Sequence, residues 1–579
     1  MMPSGLTLDM YLVILSLVAG VPLVLAASLS LPLSLSPRRI LSPFFAWAPL
    51  PALLTVWLVP PDVVVEAPWF FMGGRMGLDS SGRVFLTLSA VVWLLAGFSA
   101  SGQGLLGFLR PRFSAFYLTA MAGNFGLILA QELLGFYLFF ALMSFAVYGL
   151  VIYDRHPGSR RAGRLYLVMV MLGEIAIFLA LLLMSGEVVD LDGLAQSGWQ
   201  NSLFLLMLFV GFGIKIGALP FHRWMIRVYR EIPLPAAVAL AGAMVNAGLL
   251  GWLRFLPLGQ VAIPAAGLVL VTVGGLAALY GVVLGLRETR PAGILAGSSI
   301  SQLGLMTIIF GVGISSPLAG GEALPVLLFF VVHHGLAKAS LFLGLDALTR
   351  GRFCSFWWLV LFFIPALVLA GLPLSSGLAA KGALKGLLSA LMPSWAGLAP
   401  FFLGLSSAAT TLLMVHLLVR VREEVMAGRT PGQERRENLF PWPWISGVGL
   451  VIFAPWLWSV ARSELLYSLA LPGIIHGSWP ILLGAFSYPV FARLRREQSP
   501  TRRQGRFWSE LGPSCLTLLA VVRAWTDGLF RRVRRQWWTI LRLAAQQLPG
   551  RERIFERWLT VGIAYTALCL LLLAVLGGA

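Results

Sequence analysis

The chain has 579 residues, of which 58% are hydrophobic and only 12% charged. That balance excludes a soluble protein of several domains and marks an integral membrane protein. The net charge of +19 does not point to nucleic acid, because the arginines sit in short loops between apolar runs rather than in one basic domain.

Apolar runs of about 20 residues recur along nearly the whole length, each long enough to cross a hydrocarbon core of roughly 30 Å as a helix. About sixteen spans are expected, so the fold class is an all-α polytopic membrane protein. The first apolar run, near residues 11–33, has no basic stretch before it and no obvious cleavage site, and is expected to stay as a span. Three helices occupy residues 1–112. Residues 113–254 and 262–420 read as two related five-helix units, each with a broken helix, and 421–492 add further spans.

Between 493 and 557 the chain turns basic and rich in tryptophan. Leu518, Val522, Trp525, Leu529, Val533 and Trp537 recur at steps of three and four, with Arg531, Arg534 and Arg535 mostly opposite. This pattern predicts a lateral amphipathic helix on the cytoplasmic surface, pinned by a last span at 558–579. A basic linker on anionic lipid is the plainer alternative. Loops holding Arg38 and Arg39, Arg110 and Arg112, and Arg287 and Arg290 alternate with loops holding Glu66, Glu187 or Glu322. Since arginine-rich loops tend to stay cytoplasmic, both termini are predicted outside.

The stretch GFGIKIGALPFHRW, residues 211–224, carries Lys215 inside an apolar run that ends in a proline. Three glycines and Pro220 make a break near Lys215 expected, and an ammonium group in such a span is a functional candidate. Of 43 lysines and arginines only four are lysines, Lys215, Lys338, Lys381 and Lys385, all in or beside apolar spans. Arginine hardly ever releases its proton, whereas a buried lysine can, so this choice favours proton exchange over a fixed charge. A lysine that only bridges helices through carbonyl groups is the structural alternative.

In VVHHGLAKASLFLGLD, residues 331–346, His334 and Lys338 are four apart and share a helical face with Asp346, while His333 points elsewhere as a packing residue. AGLPLSSGLAAKGALKG, residues 370–386, repeats the seventh span's design, with an interruption at 371–373 and 377 and Lys381 close by. Two broken helices in corresponding positions mark an ion path. Glu174, in the sixth span, is a partner for Lys215 or a neutral hydrogen-bonded carboxyl; Glu132 lies between the fourth and fifth spans. Cys354, Cys515 and Cys569 have no metal-ligand spacing, and no nucleotide, metal or quinone motif is visible, so no cofactor is expected.

Together with PLPAAVALAGAMVNAGLLGWLR at 233–254 and LAGSSISQLG at 295–304, these motifs resemble the proton-conducting, antiporter-like subunits. Such subunits occur in respiratory complex I, membrane-bound hydrogenases and multisubunit cation/proton antiporters. The resemblance covers about residues 80–420 and implies a fourteen-helix core with two inverted five-helix repeats. It also implies a prokaryotic cell membrane and a polar axis carrying protons. Lys215 matches the seventh-helix lysine, His334 and Lys338 the eleventh-helix pair, and Lys381 the ionisable position of the broken twelfth helix.

Two positions depart from the pattern: Ala141 stands where a glutamate usually precedes LMS, and Asn246 where several relatives have lysine. Glu174 is the candidate replacement for the missing carboxylate. The expected function is a proton-translocating subunit of an energy-converting complex, with no catalytic site of its own. Its partners would be other membrane subunits, a peripheral redox or large soluble protein, lipid, and H⁺ or Na⁺. The alternatives are a proton channel energising an antiporter assembly or inorganic-carbon uptake, and a structural anchor that has lost transport.

Overall fold

The computed structural model describes residues 7–29, 43–61, 63–67, 74–107, 110–184, 201–350, 356–391, 397–427 and 441–497. Residues 1–488 form one compact unit and 489–579 another. The predicted lateral helix and last span lie outside the described residues.

The chain begins with α1 (Leu8–Ser28), α2 (Phe44–Trp47) and α3 (Leu50–Leu58), followed by an antiparallel pair, β1 (Val64–Ala67) and β2 (Gly74–Gly77). Then come α4 (Ser80–Gly102), α5 (Pro111–Leu129), α6 (Leu133–Val151), α7 (Pro157–Leu183), α8 (Ser202–Ile216) and α9 (Arg223–Glu231). The next span is split into α10 (Leu234–Gly242), a 3₁₀ turn (Met244–Asn246) and α11 (Ala247–Phe255). After α12 (Pro264–Arg287), α13 (Pro291–Gly313) and α14 (Pro317–Thr349), a second split span gives α15 (Phe356–Ala370) and α16 (Ser376–Leu391). The chain continues through α17 (Leu398–Ala427), α18 (Trp442–Phe453), a 3₁₀ turn (Ala454–Leu457), α19 (Ser459–Tyr467) and α20 (Leu471–Glu497).

Among the described residues ten helices are long and apolar enough to cross a membrane, and four apolar segments are shorter. The short ones include α8 and α15, whose spans are interrupted. The β1–β2 hairpin was not foreseen. It is held by backbone pairing and by Gln131, whose amide donates to the Gly77 carbonyl at 3.1 Å.

The apolar window of α13 is wholly buried and that of α14 is 94% buried, whereas that of α12 is only 39% buried. Polar side chains on α13 and α14 are therefore shielded from lipid. The α12 and α13 backbones touch at glycines: a Cβ on Gly304 would lie 2.7 Å from the Gly274 carbonyl, and one on Gly311 2.8 Å from that of Gly267. Small residues of this kind let membrane helices approach closely.

The breaks after α8 and α15 use the same backbone device. Gly217 sits at φ 70° and Gly371 at φ 101°. The Gly217 and Ala218 amides donate to the Ile214 and Gly213 carbonyls (3.1 and 2.9 Å), and the Gly371 and Leu372 amides to the Val368 and Leu367 carbonyls (both 3.1 Å). Each is a Schellman ending, which needs a left-handed residue and so favours glycine. The first helix therefore ends at Gly217, ahead of Pro220. Gly377, expected as part of the second interruption, lies inside α16, where a Cβ would meet the Val368 carbonyl oxygen at 1.7 Å. Its role is close packing.

Arg254, at the end of α11, is buried and donates to the Leu127, Ile128 and Ala130 carbonyls at 3.0, 2.6 and 2.7 Å, and to Asp79 at 2.5 Å. One guanidinium thus satisfies the free C-terminal carbonyls of α5 and ties them to the N-cap of α4. Near the other end, Arg230 pairs with Glu288 (3.4 Å) and Arg290 with Glu231 (3.2 Å), joining α9 to the α12–α13 link.

Gly217→Ala is expected to cost about 1–2 kcal/mol, from forcing a Cβ into the left-handed region, and Gly377→Ala more; thermal unfolding of detergent-purified protein measures both. Burial raises the Asp79 carboxyl, but the Arg254 charge and the hydrogen bonds from Arg254 and the Gly82 amide outweigh it, so the group is held below its ordinary value. It therefore contributes stability above the unfolded carboxylate pKa that is lost as pH falls through the depressed folded value. In Asp79→Asn, stability measured across the acid range should lose that dependence.

Candidate functional site

The last turn of α8 places Lys215 against α6, where its Nζ donates to Ser144 Oγ at 3.2 Å and lies 5.3 Å from the Phe140 ring centre. Glu174 enters the same pocket from α7. The two helices cross at Gly173 and Gly211, where a Cβ on Gly173 would stand 3.2 Å from the Gly211 carbonyl. Lys215 and Glu174 are both buried and close enough for each charge to act on the other. Ser144 faces both, and the Glu174 carboxylate oxygens have no hydrogen-bond partner. The sequence-predicted pair is thus brought together, with a hydroxyl beside it that sequence reasoning missed. Ser144 lies three residues after Ala141, close to the face on which the absent glutamate was sought.

Just beyond Lys215 the α10–α11 span breaks at Asn246, a second feature not foreseen. A Cβ on Gly248 would come within 3.1 Å of the Lys215 Cβ. Asn246 Nδ2 donates to the Gly242 carbonyl at 3.1 Å, and its Oδ1 is buried without a partner. Gly242 in turn packs on Gly335, beside His334, with only 2.6 Å between the Gly242 carbonyl and a Cβ on Gly335. Asn246 therefore stands between the Lys215 pocket and the middle of α14.

There Lys338 Nζ donates to the Leu295 carbonyl of α13 at 2.8 Å. Both ring nitrogens of His334 are buried without partners, as are Ser298 Oγ and the Gln302 amide on α13. The SSISQ stretch of α13 supplies this polar lining, a signal visible in the sequence but not given a role there. His333 reaches the second broken span instead: its Nδ1 is 2.8 Å from Ser376 Oγ, at the first position of α16. Lys381 Nζ donates to the Ala370 carbonyl and to Ser407 Oγ, both at 2.9 Å. The carbonyl freed by the break is thus capped by the lysine that follows it.

Two predicted residues stand apart. Asp346 accepts from Ser99 at 2.7 Å, from Gln103 at 2.9 Å and from Arg350 at 2.7 Å, a clamp between the ends of α4 and α14. Glu132 sits at the N-terminus of α6 beside the hairpin, and twelve residues of helix separate it from Ser144, about 18 Å at 1.5 Å per residue. Burial pushes its carboxyl up to about 7, against the Arg75 amide and guanidinium, which pull it down. The spans broken at Gly217 and Gly371 each border a small cavity of about 10 Å³, one at 216–219 against α12 and α13, the other at His333 and Ser376. Among the described residues no group of three His, Cys, Asp or Glu side chains could hold a metal ion.

Residues 130–410, which contain every one of these lysines and histidines, match the profile of the NADH:quinone oxidoreductase/Mrp antiporter transmembrane family. That segment, a little under half of the chain, is similar to the family. The chain is 31% identical over 303 residues to hydrogenase-4 component B of Escherichia coli (strain K12), covering 48% of this chain and 44% of that protein. It is also 31% identical over 258 residues to a putative antiporter subunit mnhA2 of Staphylococcus aureus (strain JH9), covering 41% and 32%. The matched stretch thus spans less than half the length of these curated relatives.

Among solved structures, the Mrp complex from Dietzia sp. DQ12-45-1b is similar with a TM-score of 0.65 at 20% identity, covering 95% of this chain and 63% of that chain. An archaeal membrane-bound sulfane sulfur reductase is similar with a TM-score of 0.64 at 17% identity, covering 83% and 99%. These likenesses show the antiporter-like fold.

Lys381→Met would leave the Ala370 carbonyl and the Ser407 hydroxyl without their common donor. The expected cost is about 1–3 kcal/mol of stability, read as a fall in thermal midpoint relative to Lys385→Met, whose side chain is exposed.

Proposed function

We propose that the chain is a proton-translocating subunit of a larger energy-converting membrane complex, in which H⁺ passes among Lys215, Glu174, His334, Lys338 and Lys381. The observation that carries this reading is the way the three buried lysines are held. Ser144 Oγ, the Leu295 carbonyl, and the Ala370 carbonyl with Ser407 Oγ are their hydrogen-bond acceptors. Neutral oxygens can keep an ammonium group without an ion pair, so a lysine held in this way gives up and regains a proton without breaking a salt bridge.

The breaks beside Lys215 and Lys381 open the backbone where a hydrated path needs polar groups, as irregular segments of membrane proteins do when they line a cavity. Asn246, Gln302 and Ser298 give further hydrogen-bonding positions between the lysines. The first five-helix unit, 113–254, contributes the spans broken at Gly217 and Asn246 to this axis, and the second, 262–420, the span broken at Gly371. The driving chemistry belongs to partner subunits. Glu132, beside the hairpin, serves as a titratable group at the mouth of the first unit.

The test is purification of the tagged chain in mild detergent from its native host, mass spectrometry of what accompanies it, and reconstitution of that assembly into vesicles with a trapped pH dye. Lys215→Ala and Lys338→Ala should each lower coupled proton flux about a hundredfold, the scale of a lost acid–base group. Ala141→Glu should alter it by placing a second carboxylate near Lys215. Flux unchanged in all three variants would leave a passive anchor as the better description.

A further inference from the structure

The loop at 371–375, between α15 and α16, is held by two helices that follow the family-like segment 130–410. Leu374 stands at φ 63°, a left-handed conformation that is costly for any residue with a Cβ. Its side chain is 46% exposed, so burial of that side chain does little to hold it there. The backbone supplies the hold: the Leu374 amide donates at 3.2 Å to Ser468 Oγ, the residue that closes α19.

Ser468 is fully buried, and its hydroxyl is oriented. The proton goes to the Leu465 carbonyl at 2.6 Å, which leaves a lone pair for the Leu374 amide. From α20, Gly477 also lies against the loop, where a Cβ would stand 3.1 Å from Pro373 Cγ and 3.2 Å from Leu378 Cδ2. Glu464, one turn before Ser468 on α19, rests on α16 at Gly382. Its carboxylate leaves no room for a Cβ there, and it faces the charge of Lys385. The loop follows directly on Ala370, whose carbonyl accepts from Lys381. A turn closed by the Ser375 amide and hydroxyl on the Leu372 carbonyl keeps the connection short. Fixing Leu374 therefore also fixes the direction of the Ala370 carbonyl.

We propose that α19 and the start of α20 form a latch on the second broken span, in which Ser468 is a positioning residue that keeps the Ala370 carbonyl aimed at Lys381. Glu464 seats the latch on α16. In its effect on transport the latch rests on the proton-translocating reading above; as a contact it is tested separately. It gives the helices after the family-like segment a part in setting how the lysine of the second broken span is held.

The experiment uses the native assembly and reads amide hydrogen exchange of peptides covering 371–378, with 295–305 as the reference. Ser468→Ala, and Ser468→Cys, which fills the same space with a weak acceptor, should each speed exchange at 371–378 about fivefold to tenfold, the scale of one lost hydrogen bond, with the reference unchanged. Proton flux in vesicles then separates positioning from stability. Lys381 has two acceptors, so Ser468→Ala and Ser407→Ala should each lower flux about threefold. Together they should fall at least about fivefold below the product of the two, while their effects on the thermal midpoint add. Unchanged exchange in both Ser468 variants overturns the latch. Faster exchange with flux effects that merely multiply overturns the positioning role and leaves a structural contact. If Lys338→Ala abolishes flux while both Ser468 variants conduct normally, the translocating reading stands and the positioning role falls. A wild-type assembly that conducts nothing overturns both.

Discussion

A polypeptide in a hydrocarbon surround has to satisfy its own backbone polar groups, and interrupting a helix there frees carbonyls that no water from the lipid side can reach. At three interrupted spans among the described residues a side chain supplies a donor. Trp224 Nε1 donates to the Ile214 carbonyl at 2.9 Å after the first break, Asn246 to that of Gly242 at the second, and Lys381 to that of Ala370 at the third. Arg254 does the same for the end of α5. The polar axis is in this sense a consequence of the breaks: residues that a proton path would use are also those that make the broken backbone tolerable. Removing one of them is therefore expected to affect stability and transport together, which is why flux must be compared with folding in any variant.

Burial sets which polar groups can share that axis. The α10–α11 span, α13 and α14 are almost wholly enclosed, so Asn246, Ser298, Gln302, His334 and Lys338 are screened from lipid by their neighbours. Glycines bring these helices within backbone contact, as at Gly242 and Gly335. Packing this close leaves water-sized spaces beside the breaks at Gly217 and Gly371, so a hydrated path through them is narrow and its continuity depends on single side chains.

Much of this was legible in the sequence, for identifiable reasons. A lysine in an apolar run is conspicuous against a background of arginines, and helical spacing alone places His334 and Lys338 on one face. The same spacing cannot say which neighbour a face meets. Spacing sets His333 on a different face as a packing residue, and there it meets Ser376, because α16 approaches from that side. Periodicity also misjudged cause at the breaks: Gly217 ends α8 through its left-handed backbone, ahead of Pro220, and Gly377 is needed for contact rather than for a turn. The split at Asn246 escaped notice because Ala, Met, Val and Asn carry no breaking signal; it is stabilised by an amide folding back on the Gly242 carbonyl. The hairpin at 64–77 depends on Gln131, more than fifty residues away, and no local pattern announces it.

The pocket around Lys215 shows how a charge can move between helices without changing the balance of a site. The glutamate that the resemblance places on α6 is absent at Ala141, and Glu174 arrives from α7 through the Gly173–Gly211 crossing. No ion pair of the described residues joins Glu174 to Lys215; Ser144 faces both from α6. A carboxylate pressed directly on the ammonium would hold it charged, whereas a hydroxyl can accept from one group and donate to the other. On the proposed reading, the first unit has exchanged a tight ion pair for a looser pair with a hydroxyl alongside. The two charges still act on each other at longer range, and the hydroxyl that takes the lysine's hydrogen bond faces the carboxyl as well. That exchange is possible only because two glycines let α7 and α8 approach until their backbones touch, so the chemistry of the pocket is set by the closeness of a helix crossing.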